Sequence, residues 1–207
     1  MELGETTRGY FEKMATIEKG PLAADMKAIL AAKPDAKAIE RLSALPPYNA
    51  QLRTTCVATR LDGGHADNAL PQLARAMVNC RILPGHKVEE IQQTLEHVLA
   101  DPKIVVTATA RDTASPPSAL NPELVADIQT VTTKFWPGIT VLPTMSAGAT
   151  DGRYLRNAGI PTYGHSGLAG DIFDVRAHGK DERVSVKALY DEQEYLYELV
   201  KLVAGGK

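Results

Sequence analysis

The residues best suited to chemistry lie in the last third of the chain, around a single histidine. His178 stands in the polar segment 177–184, and a neutral imidazole is a common metal ligand. A catalytic zinc ion usually takes about three protein ligands and keeps one position open for water. A lone histidine is weak support for such a site. Arg176 and Arg183 fit surface charges equally well, and Asp181-Glu182 fits a helix-capping pair.

A second group of residues, Gly148-Ala149-Thr150-Asp151-Gly152-Arg153, leads into a predicted short helix. Small residues allow a substrate to approach the backbone, and the first amide groups of a helix suit a carboxylate. On local chemistry alone, Asp151 could instead be only the N-cap of that helix and Gly148 only a turn former. Both interpretations stay open at this level.

Two further histidines lie beside possible partners. His65 and Asp67 have the spacing of two metal ligands, but their Gly-rich loop favours a structural or substrate-facing role. His165 and Ser166 could form a nucleophile pair, although no Gly-x-Ser-x-Gly turn supports it. The remaining acidic candidates are expected on exposed helix surfaces: Glu89, Glu90, Glu192 and Glu194.

The bulk composition excludes several classes of protein. The 207 residues are 44% hydrophobic and 23% charged, as in an ordinary globular protein of one large or two small domains. A formal net charge of -2 predicts no bulk attraction to nucleic acid or anionic lipid. No apolar run reaches the roughly 18 residues of a membrane span. The start of the chain does not resemble a signal peptide, so a cytoplasmic location is expected.

The two cysteines lie in alternating apolar runs that predict neighbouring strands. In the second run one face carries Ala74, Ala76, Val78 and Cys80, and the other carries Arg75, Met77, Asn79 and Arg81. Two cysteines are too few for a disulfide scaffold, so the favoured interpretation is a pair of buried thiols. They form a disulfide only if their strands are adjacent and in suitable register.

Hydrophobic periodicity predicts an α/β fold in two parts. The first part has predicted helices at 5–18, 21–32 and 35–42, a proline breaker at 45–48, strands at 52–59 and 74–81, a helix at 88–99 and a strand at 104–107. After a Pro- and Ser-rich linker at 112–121 we expect helices at 122–135 and 151–157, short strands at 139–142 and 162–164, and a last helix lined by Leu189, Leu196, Leu199, Val200 and Leu202. The first part is most of a ferredoxin-like unit with an antiparallel sheet, lacking its first strand. The second part fits a layered α/β domain.

Three segments together resemble metallopeptidase family twenty, which includes glutamate carboxypeptidase, aminoacylase, acetylornithine deacetylase and succinyl-diaminopimelate desuccinylase. The segment 63–85, with Gly63-Gly64-His65-Ala66-Asp67 and Asn79-Cys80-Arg81, resembles the lid or dimerisation domain. The segment 146–164 resembles the substrate-side loop of the catalytic domain. The segment 177–184 resembles the part that bears the last zinc ligand. The implied domains are a lid at 1–112 and the C-terminal half of a zinc-exopeptidase catalytic domain at 113–207.

The resemblance implies roles for seven residues. His178 is implied as a zinc ligand, and Asn79 and Arg81 are implied to reach the substrate carboxylate, within one subunit or across a dimer. An arginine fork suits a carboxylate bidentately. The residues implied to shape the substrate pocket are Gly148, Thr150, Asp151 and Arg153. In such enzymes a zinc-bound water attacks the amide carbon and a glutamate acts as general base.

Most of the family's metal site has no counterpart in the sequence. The early His-x-Asp motif, the Glu-Glu pair, the bridging aspartate and the lid Gly-His motif are not found, and His65-Ala66-Asp67 matches the lid hairpin instead. We therefore expect the C-terminal portion of a longer hydrolase, with weak or absent zinc binding and little activity alone. The implied partners are a small peptide or N-acyl amino acid substrate and a second copy bound through the lid. The alternative is a dimerisation or interaction module without catalysis.

Overall fold

The computed structural model describes residues 1–109 and 114–205 of the chain. These residues form, in order, α1 (Glu5–Ile17), α2 (Gly20–Ile29), α3 (Ala36–Ser43), α4 (Pro46–Leu52), β1 (Thr55–Gly63), β2 (Ala74–Arg81), α5 (Val88–Leu99), α6 (Pro122–Phe135), α7 (Gly152–Asn157) and α8 (Val186–Ala204). Helices accompany a small antiparallel sheet, so the α/β class predicted from the sequence is confirmed. Among the described helices, none is long and apolar enough to cross a membrane.

The first four helices, which we call the helical base, pack around one apolar core. Its buried side chains are Phe11, Ala15, Met26, Ile29, Ala38, Leu42, Tyr48 and Leu52. Phe11 and Ala15 are four residues apart, as are Ala38 and Leu42, so each pair lies on one face of its helix. Full burial of one large apolar side chain contributes about 1.5–3 kcal/mol relative to exposure. The helical base therefore has a stable core of its own.

A bidentate ion pair also joins α2 to α3. Arg41 donates to both carboxylate oxygens of Asp25, from Nε at 2.8 Å and from Nη2 at 2.5 Å. The Asp25 side chain is almost buried, whereas that of Arg41 is 57% exposed. The hydrogen bonds from Arg41 are the main reason why the pKa of Asp25 lies below its ordinary value.

Pro46 and Pro47 begin a helix, so the breaker predicted at 45–48 is wrong. A proline in the first turn lacks only an amide that would have no helical partner, and its fixed φ suits the helix. The helix that follows buries Tyr48 and Leu52 and so completes the core of the helical base.

Strands β1 and β2 form a hairpin without a core. They pair antiparallel, with Cys56 opposite Cys80 and Gly63 opposite Ala74, and Thr59 is an extra residue at which the register shifts. No residue of either strand is buried, and Leu61 is 76% exposed. The helix α5 that follows also has no buried residue. We call the hairpin together with α5 the arm.

Cys56 and Cys80 form a disulfide, so the predicted pair of buried thiols is wrong. The two residues are directly opposite in the register, and their Cα atoms lie 4.1 Å apart. Cys56 is exposed and Cys80 is half-buried. Periodicity placed both cysteines on strands, but strand register decides whether they meet, and a single strand's pattern does not contain it.

Helices α6 and α8, which we call the C-terminal helix pair, form a second core from Ile128, Val131, Tyr195 and Leu199. The rings of Phe135 and Trp136 pack on Tyr195, with centroid separations of 5.7 and 5.0 Å. Aromatic side chains therefore supply much of the contact between these two helices.

Three predicted strands do not form among the described residues. The segments 104–107, 139–142 and 162–164 carry no strand, and the sheet that the structure describes is two-stranded. A β-branched run becomes a strand only when a neighbour pairs with its amide and carbonyl groups. The carbonyl of Val106 instead accepts a hydrogen bond from Gln92 at 3.1 Å. The predicted domain boundary at residue 112 lies outside the described residues and stays a prediction.

Candidate metal and substrate site

His178, the predicted metal ligand, lies in a tight turn of the loop that precedes α8. Its φ is +67°, a left-handed backbone conformation that residues other than glycine rarely adopt. The amide of Gly179 closes the turn by donating to the Arg176 carbonyl at 2.9 Å. The residue is exposed, and its imidazole has no hydrogen bond to another described residue. The loop therefore presents His178 to solvent.

Alternating charges hold this turn in place. The Nε atom of Arg176 donates to Asp174 at 2.6 Å, and the same guanidinium donates to Asp181. Arg183 donates to the second carboxylate oxygen of Asp174 at 3.2 Å. Hydrogen bonds from Arg176 and then Arg183 hold the pKa of Asp174 below its ordinary value. Both arginines thus hold the loop together and are not simple surface charges.

Gly179 lies where the turn leaves little space. A Cβ atom at this position would lie 3.0 Å from the carbonyl oxygen of Arg176 and 3.1 Å from Oδ1 of Asp181. The interpretation of Asp181-Glu182 as a capping pair is wrong. Helix α8 has Ser185 as its N-cap, whose hydroxyl oxygen accepts from the amide of Ala188 at 3.3 Å.

The described residues do not form a closed metal site. No group of three or more His, Cys, Asp and Glu side chains among them is placed to hold a metal ion. His178 supplies one imidazole, whereas a catalytic zinc takes about three protein ligands. His65 and Asp67, the other candidate pair, lie exposed in the loop of the hairpin. The donor set of the described residues therefore does not fit a zinc ion by itself.

The predicted pocket residues Gly148, Thr150, Asp151 and Arg153 lie in one continuous segment that runs from a loop into the first turn of α7. The amide of Arg153 donates to the Thr150 carbonyl at 3.3 Å, which starts the helical turn. Asp151 stands at the N-cap position, but its side chain makes no capping hydrogen bond. The interpretation of Asp151 as a capping residue is therefore not supported, and its exposed carboxylate faces solvent.

The side chain of Arg153 already has a partner in its neighbour. Its Nη2 atom donates to the Tyr154 hydroxyl at 2.6 Å, and the guanidinium lies 4.6 Å from the centre of the Tyr154 ring. At Gly152 a Cβ atom would lie 3.2 Å from a methyl carbon of Thr162. The start of α7 therefore packs closely on the segment that follows the helix.

Asn79 and Arg81, the predicted carboxylate contacts, lie on one face of β2. Both are exposed, and the side chain of neither has a hydrogen bond to another described residue. The structure thus brings these two residues together. Within the described residues no hydrogen bond or ion pair connects them with His178 or with the loop at 148–153.

His165 and Ser166 do not form a nucleophile pair, because each is bonded to α8. The Nε2 atom of His165 shares a hydrogen bond with the Tyr195 hydroxyl at 2.7 Å, and Ser166 donates to Glu192 at 2.5 Å. Burial lowers the pKa of His165. At Gly167 a Cβ atom would lie 2.8 Å from the Tyr195 ring, so the loop packs directly on the helix. Glu192 is accordingly half-buried, contrary to the exposure predicted from its position.

Gln51 and Tyr48 join these loops to the helical base. The side-chain amide of Gln51 donates to the Met145 carbonyl at 2.7 Å. The ring of Tyr48 packs edge-to-face on Phe173, with centroids 6.1 Å apart. Tyr48 is fully buried, and burial raises the pKa of its phenol to about 12. No periodicity in the sequence predicts these contacts, because the segments that make them are far apart in the chain.

The chain is similar in sequence to a family of peptidases and related hydrolases. A family model described as a peptidase dimerisation domain matches residues 21–106, which include α2 to α5. The human N-fatty-acyl-amino acid synthase/hydrolase PM20D1 is 32% identical over 163 residues, which are 75% of this chain and 32% of that protein. A probable carboxypeptidase S-like 2 from Dictyostelium discoideum is 26% identical over 162 residues, 77% of this chain and 31% of that protein.

A solved structure supports the same fold. The M20 family metallo-carboxypeptidase Sso-CP2 from Sulfolobus solfataricus superposes with a TM-score of 0.61 at 18% identity, over 98% of this chain and 46% of that one. The chain spans about a third of the length of the known relatives that match its sequence. The likeness in structure therefore concerns the fold, and the likeness in sequence concerns one part of longer proteins.

Proposed function

The chain belongs to metallopeptidase family twenty, and on this premise we propose that it forms the lid and substrate-binding portion of a metal-dependent hydrolase. The proposed reaction is hydrolysis of an amide bond in a small substrate with a free carboxylate, either a short peptide or an N-acyl amino acid. The names of two relatives support this class, since one is an N-fatty-acyl-amino acid synthase/hydrolase and the other a probable carboxypeptidase. In both substrate types a carboxylate stands close to the amide that is cleaved.

The observation that carries this proposal is the unpaired guanidinium of Arg81 on the arm. The arginines of the two candidate loops, by contrast, have partners: Arg176 and Arg183 bind aspartates and Arg153 binds Tyr154. A guanidinium presents paired N–H donors that match a carboxylate, and the side-chain amide of Asn79 adds a donor on the same face. We therefore assign carboxylate recognition to Arg81 and Asn79, and the shape of the pocket to the loop at 148–153.

The metal that we propose is zinc, with His178 as one ligand. A zinc ion held in part by His178 would supply Lewis-acid chemistry, which lowers the pKa of a bound water and polarises a carbonyl. The contribution of this chain is one imidazole, on a turn that the hydrogen bonds of Arg176 to Asp174 and Asp181 hold together. The remaining donors and the general base are proposed to come from outside the described residues. Alone, the chain is expected to bind zinc weakly and to hydrolyse little.

Titration of the purified chain with N-acetyl-leucine tests the assignment of Arg81. We expect backbone amide resonances of Asn79 and Arg81 to shift, and Arg81→Gln to weaken binding. Because hydrogen bonds to a charged group contribute about 1.5–3 kcal/mol, the loss should be about tenfold or more. Arg75→Gln is the matched control, since Arg75 lies on the same face of the same strand and the charge change is identical. Equal losses in the two variants would contradict the assignment.

Zinc content and hydrolysis of N-acyl amino acids test the metal proposal. We expect weak zinc binding by the chain, weaker still in His178→Ala, and no chelator-sensitive turnover by either protein. Tight binding near one equivalent that depends on His178 would mean that the described residues assemble a metal site after all. Robust turnover that a chelator abolishes would overturn the proposal that the chain is inactive alone.

A second candidate function is a dimerisation module without catalysis. The matching family model is described as a dimerisation domain, and the hairpin leaves both of its edges and several apolar side chains exposed, among them Val57, Leu61, Met77 and Val78. Unpaired strand edges and exposed apolar side chains favour association with a second copy. Sedimentation over a range of concentrations distinguishes the outcomes. A homodimer with no carboxylate binding would favour this candidate, and a strict monomer would exclude it.

A further inference from the structure

The disulfide of the hairpin lies where a reductant can reach it. Cys56 is exposed, Cys80 is half-buried, and neither residue belongs to either apolar core. Exposed disulfides are generally the labile ones, whereas structural disulfides resist reduction. A thiolate can therefore attack the Cys56 sulfur without prior unfolding of the helical base or the C-terminal helix pair.

Besides this disulfide, the strands of the hairpin are held by their backbone ladder and by a hydrogen bond from the Thr59 hydroxyl to the Met77 carbonyl at 3.3 Å, with no buried side chain to support them. None of its residues is buried, and an isolated two-stranded hairpin is marginally stable at best in water. The extra residue Thr59 interrupts the ladder of hydrogen bonds. The disulfide closes a loop between residues 24 apart in sequence, and such a link removes conformations from the unpaired chain.

One end of the hairpin is fixed independently of the disulfide. The amide of Leu83 donates to the Thr54 hydroxyl at 3.0 Å, just beyond the last paired residues. This hydrogen bond remains after reduction and keeps the two strands close where they leave the helical base. The part that reduction releases is the far part, between the disulfide and the loop at 64–73.

We propose that Cys56–Cys80 is a thiol–disulfide exchange site. A dithiol reductant breaks the disulfide there and releases the pairing of the two strands beyond it. The first thiolate of the reductant attacks Cys56 Sγ and forms a mixed disulfide, while Cys80 leaves as a thiolate and takes a proton from water. The second thiol of the reductant then displaces Cys56, which also becomes a thiol. Two electrons pass to the protein, and the reductant ends as a disulfide.

The exchange site lies between the two residues assigned to carboxylate recognition. Asn79 precedes Cys80, in the part that reduction releases, and Arg81 follows it, in the part that stays fixed, so loss of strand order displaces Asn79 from the face that it shares with Arg81. This consequence for substrate binding rests on the proposed function, whereas the exchange chemistry does not. In the oxidised chain the two side chains share one face of β2, and in the reduced chain the backbone of Asn79 is no longer held beside that of Arg81 in this arrangement.

Reduction of the full chain without denaturant tests the proposal. Dithiothreitol is added, free thiols are alkylated and counted by mass, and tryptic cleavage after Arg60 and Arg75 is timed. We expect two thiols to become free while the helical circular dichroism is unchanged, and cleavage at both arginines to accelerate about tenfold. Cleavage after Lys27, in the helical base, should keep its rate. None of these measurements needs metal or substrate. They therefore test the exchange proposal independently of the proposed function.

The double variant Cys56→Ser/Cys80→Ser is the control. It should be cleaved after Arg60 and Arg75 as fast as the reduced chain, with no effect of dithiothreitol. Should this variant fold poorly, hydrogen exchange of the unmodified chain with and without dithiothreitol gives the same information. The proposal is overturned if the disulfide is reduced only in denaturing urea, or if reduction leaves cleavage and exchange in the hairpin unchanged.

Discussion

The helical base and the arm follow one another in the chain but obtain their order in different ways. Every helix of the base buries side chains, and Leu42 and Met26 are fully inaccessible. In the arm neither strand nor α5 buries a single residue, and a disulfide joins the strands instead. The residues assigned to carboxylate recognition lie in the arm. Substitutions there should therefore change function at little cost in stability, and the reverse should hold in the base.

The largest effect is expected from a matched pair of leucine truncations. Leu42→Ala empties a fully buried position, and such a change typically costs about 2–5 kcal/mol. Leu61→Ala removes the same atoms from a position that is 76% exposed, where substitutions usually stay within about 0.5 kcal/mol. Urea unfolding followed by circular dichroism measures both. Similar losses in the two variants would remove the distinction between base and arm.

A smaller loss of stability is expected from Gly167→Ala, because the loop that contains Gly167 packs closely on α8. Gly167→Ala would place a methyl group 2.8 Å from the Tyr195 ring and 3.3 Å from Cα of Glu192. Overpacking of this kind costs about 1–3 kcal/mol. Gly170→Ala is the control, since a Cβ atom there meets nothing within 4 Å. Thermal unfolding should separate the two variants, and an unchanged Gly167→Ala would mean that the loop does not rest on α8.

The ion pair within the base gives a pH-dependent test. Asp25→Asn should lower the urea midpoint at neutral pH, by less than Leu42→Ala, because the bond to Arg41 is partly exposed. The pKa of Asp25 is lower in the folded chain than in the unfolded chain. The ionised carboxylate of Asp25 therefore stabilises the folded chain at any pH above its pKa in the unfolded chain, about 3.9. This stabilisation disappears as the pH falls through the pKa of Asp25 in the folded chain. Midpoints of the variant and the parent chain should converge in acid, and parallel curves would contradict the pairing.

The smallest effect is expected where His86, just before α5, contacts Glu2, whose amide donates to the carbonyl of Leu52 in the helical base at 2.9 Å. His86 bonds to Glu2 at 2.8 Å and to Glu90 at 3.1 Å, and these carboxylates, Glu2 first, raise the pKa of His86. Protonated His86 therefore stabilises the folded chain at any pH below its pKa in the unfolded chain, about 6.5. This stabilisation is lost as the pH rises through the pKa of His86 in the folded chain. His86→Ala should speed hydrogen exchange in α5 at about pH 6 but not at about pH 9.

His97→Ala is the matched control for that experiment. His97 lies on α5, is exposed, and has no hydrogen bond to another described residue. Its removal should leave exchange in α5 unchanged at both pH values. Equal effects of the two histidine variants would mean that His86 does not fasten the arm to the base.

Local signals in the sequence were sufficient for most helices. Pro122 and the preceding Asn121, whose side chain accepts from the amides of Glu123 and Leu124, mark the start of α6 at the predicted residue. Gly159, with φ of +82°, follows the predicted end of α7. At Pro46-Pro47 the same kind of signal gave a wrong prediction. A proline pair can end one helix or begin the next, and here it begins α4.

Features that depend on a distant partner were not predictable. The cysteine pairing needed the register of two strands, and the strand at 104–107 needed a neighbour that the described residues do not supply. The candidate site shows the same limit. The resemblance to a known family marked His178, Asn79 and Arg81, but the ion pairs around Asp174 and the contact of Ser166 with Glu192 depend on how the loops pack against the rest of the chain.

The position of Trp136 allows unfolding of the C-terminal helix pair to be distinguished from unfolding of the helical base by fluorescence. It is the single tryptophan of the chain, and its ring lies 5.0 Å from that of Tyr195 and packs against the core of the C-terminal helix pair, not against the core that contains Phe11 and Leu42. Its fluorescence therefore reports on that pair, whereas circular dichroism sums over all helices. Coincident transitions by both probes indicate a single cooperative unit, and an earlier fluorescence transition indicates that the C-terminal helix pair melts while the helical base remains folded.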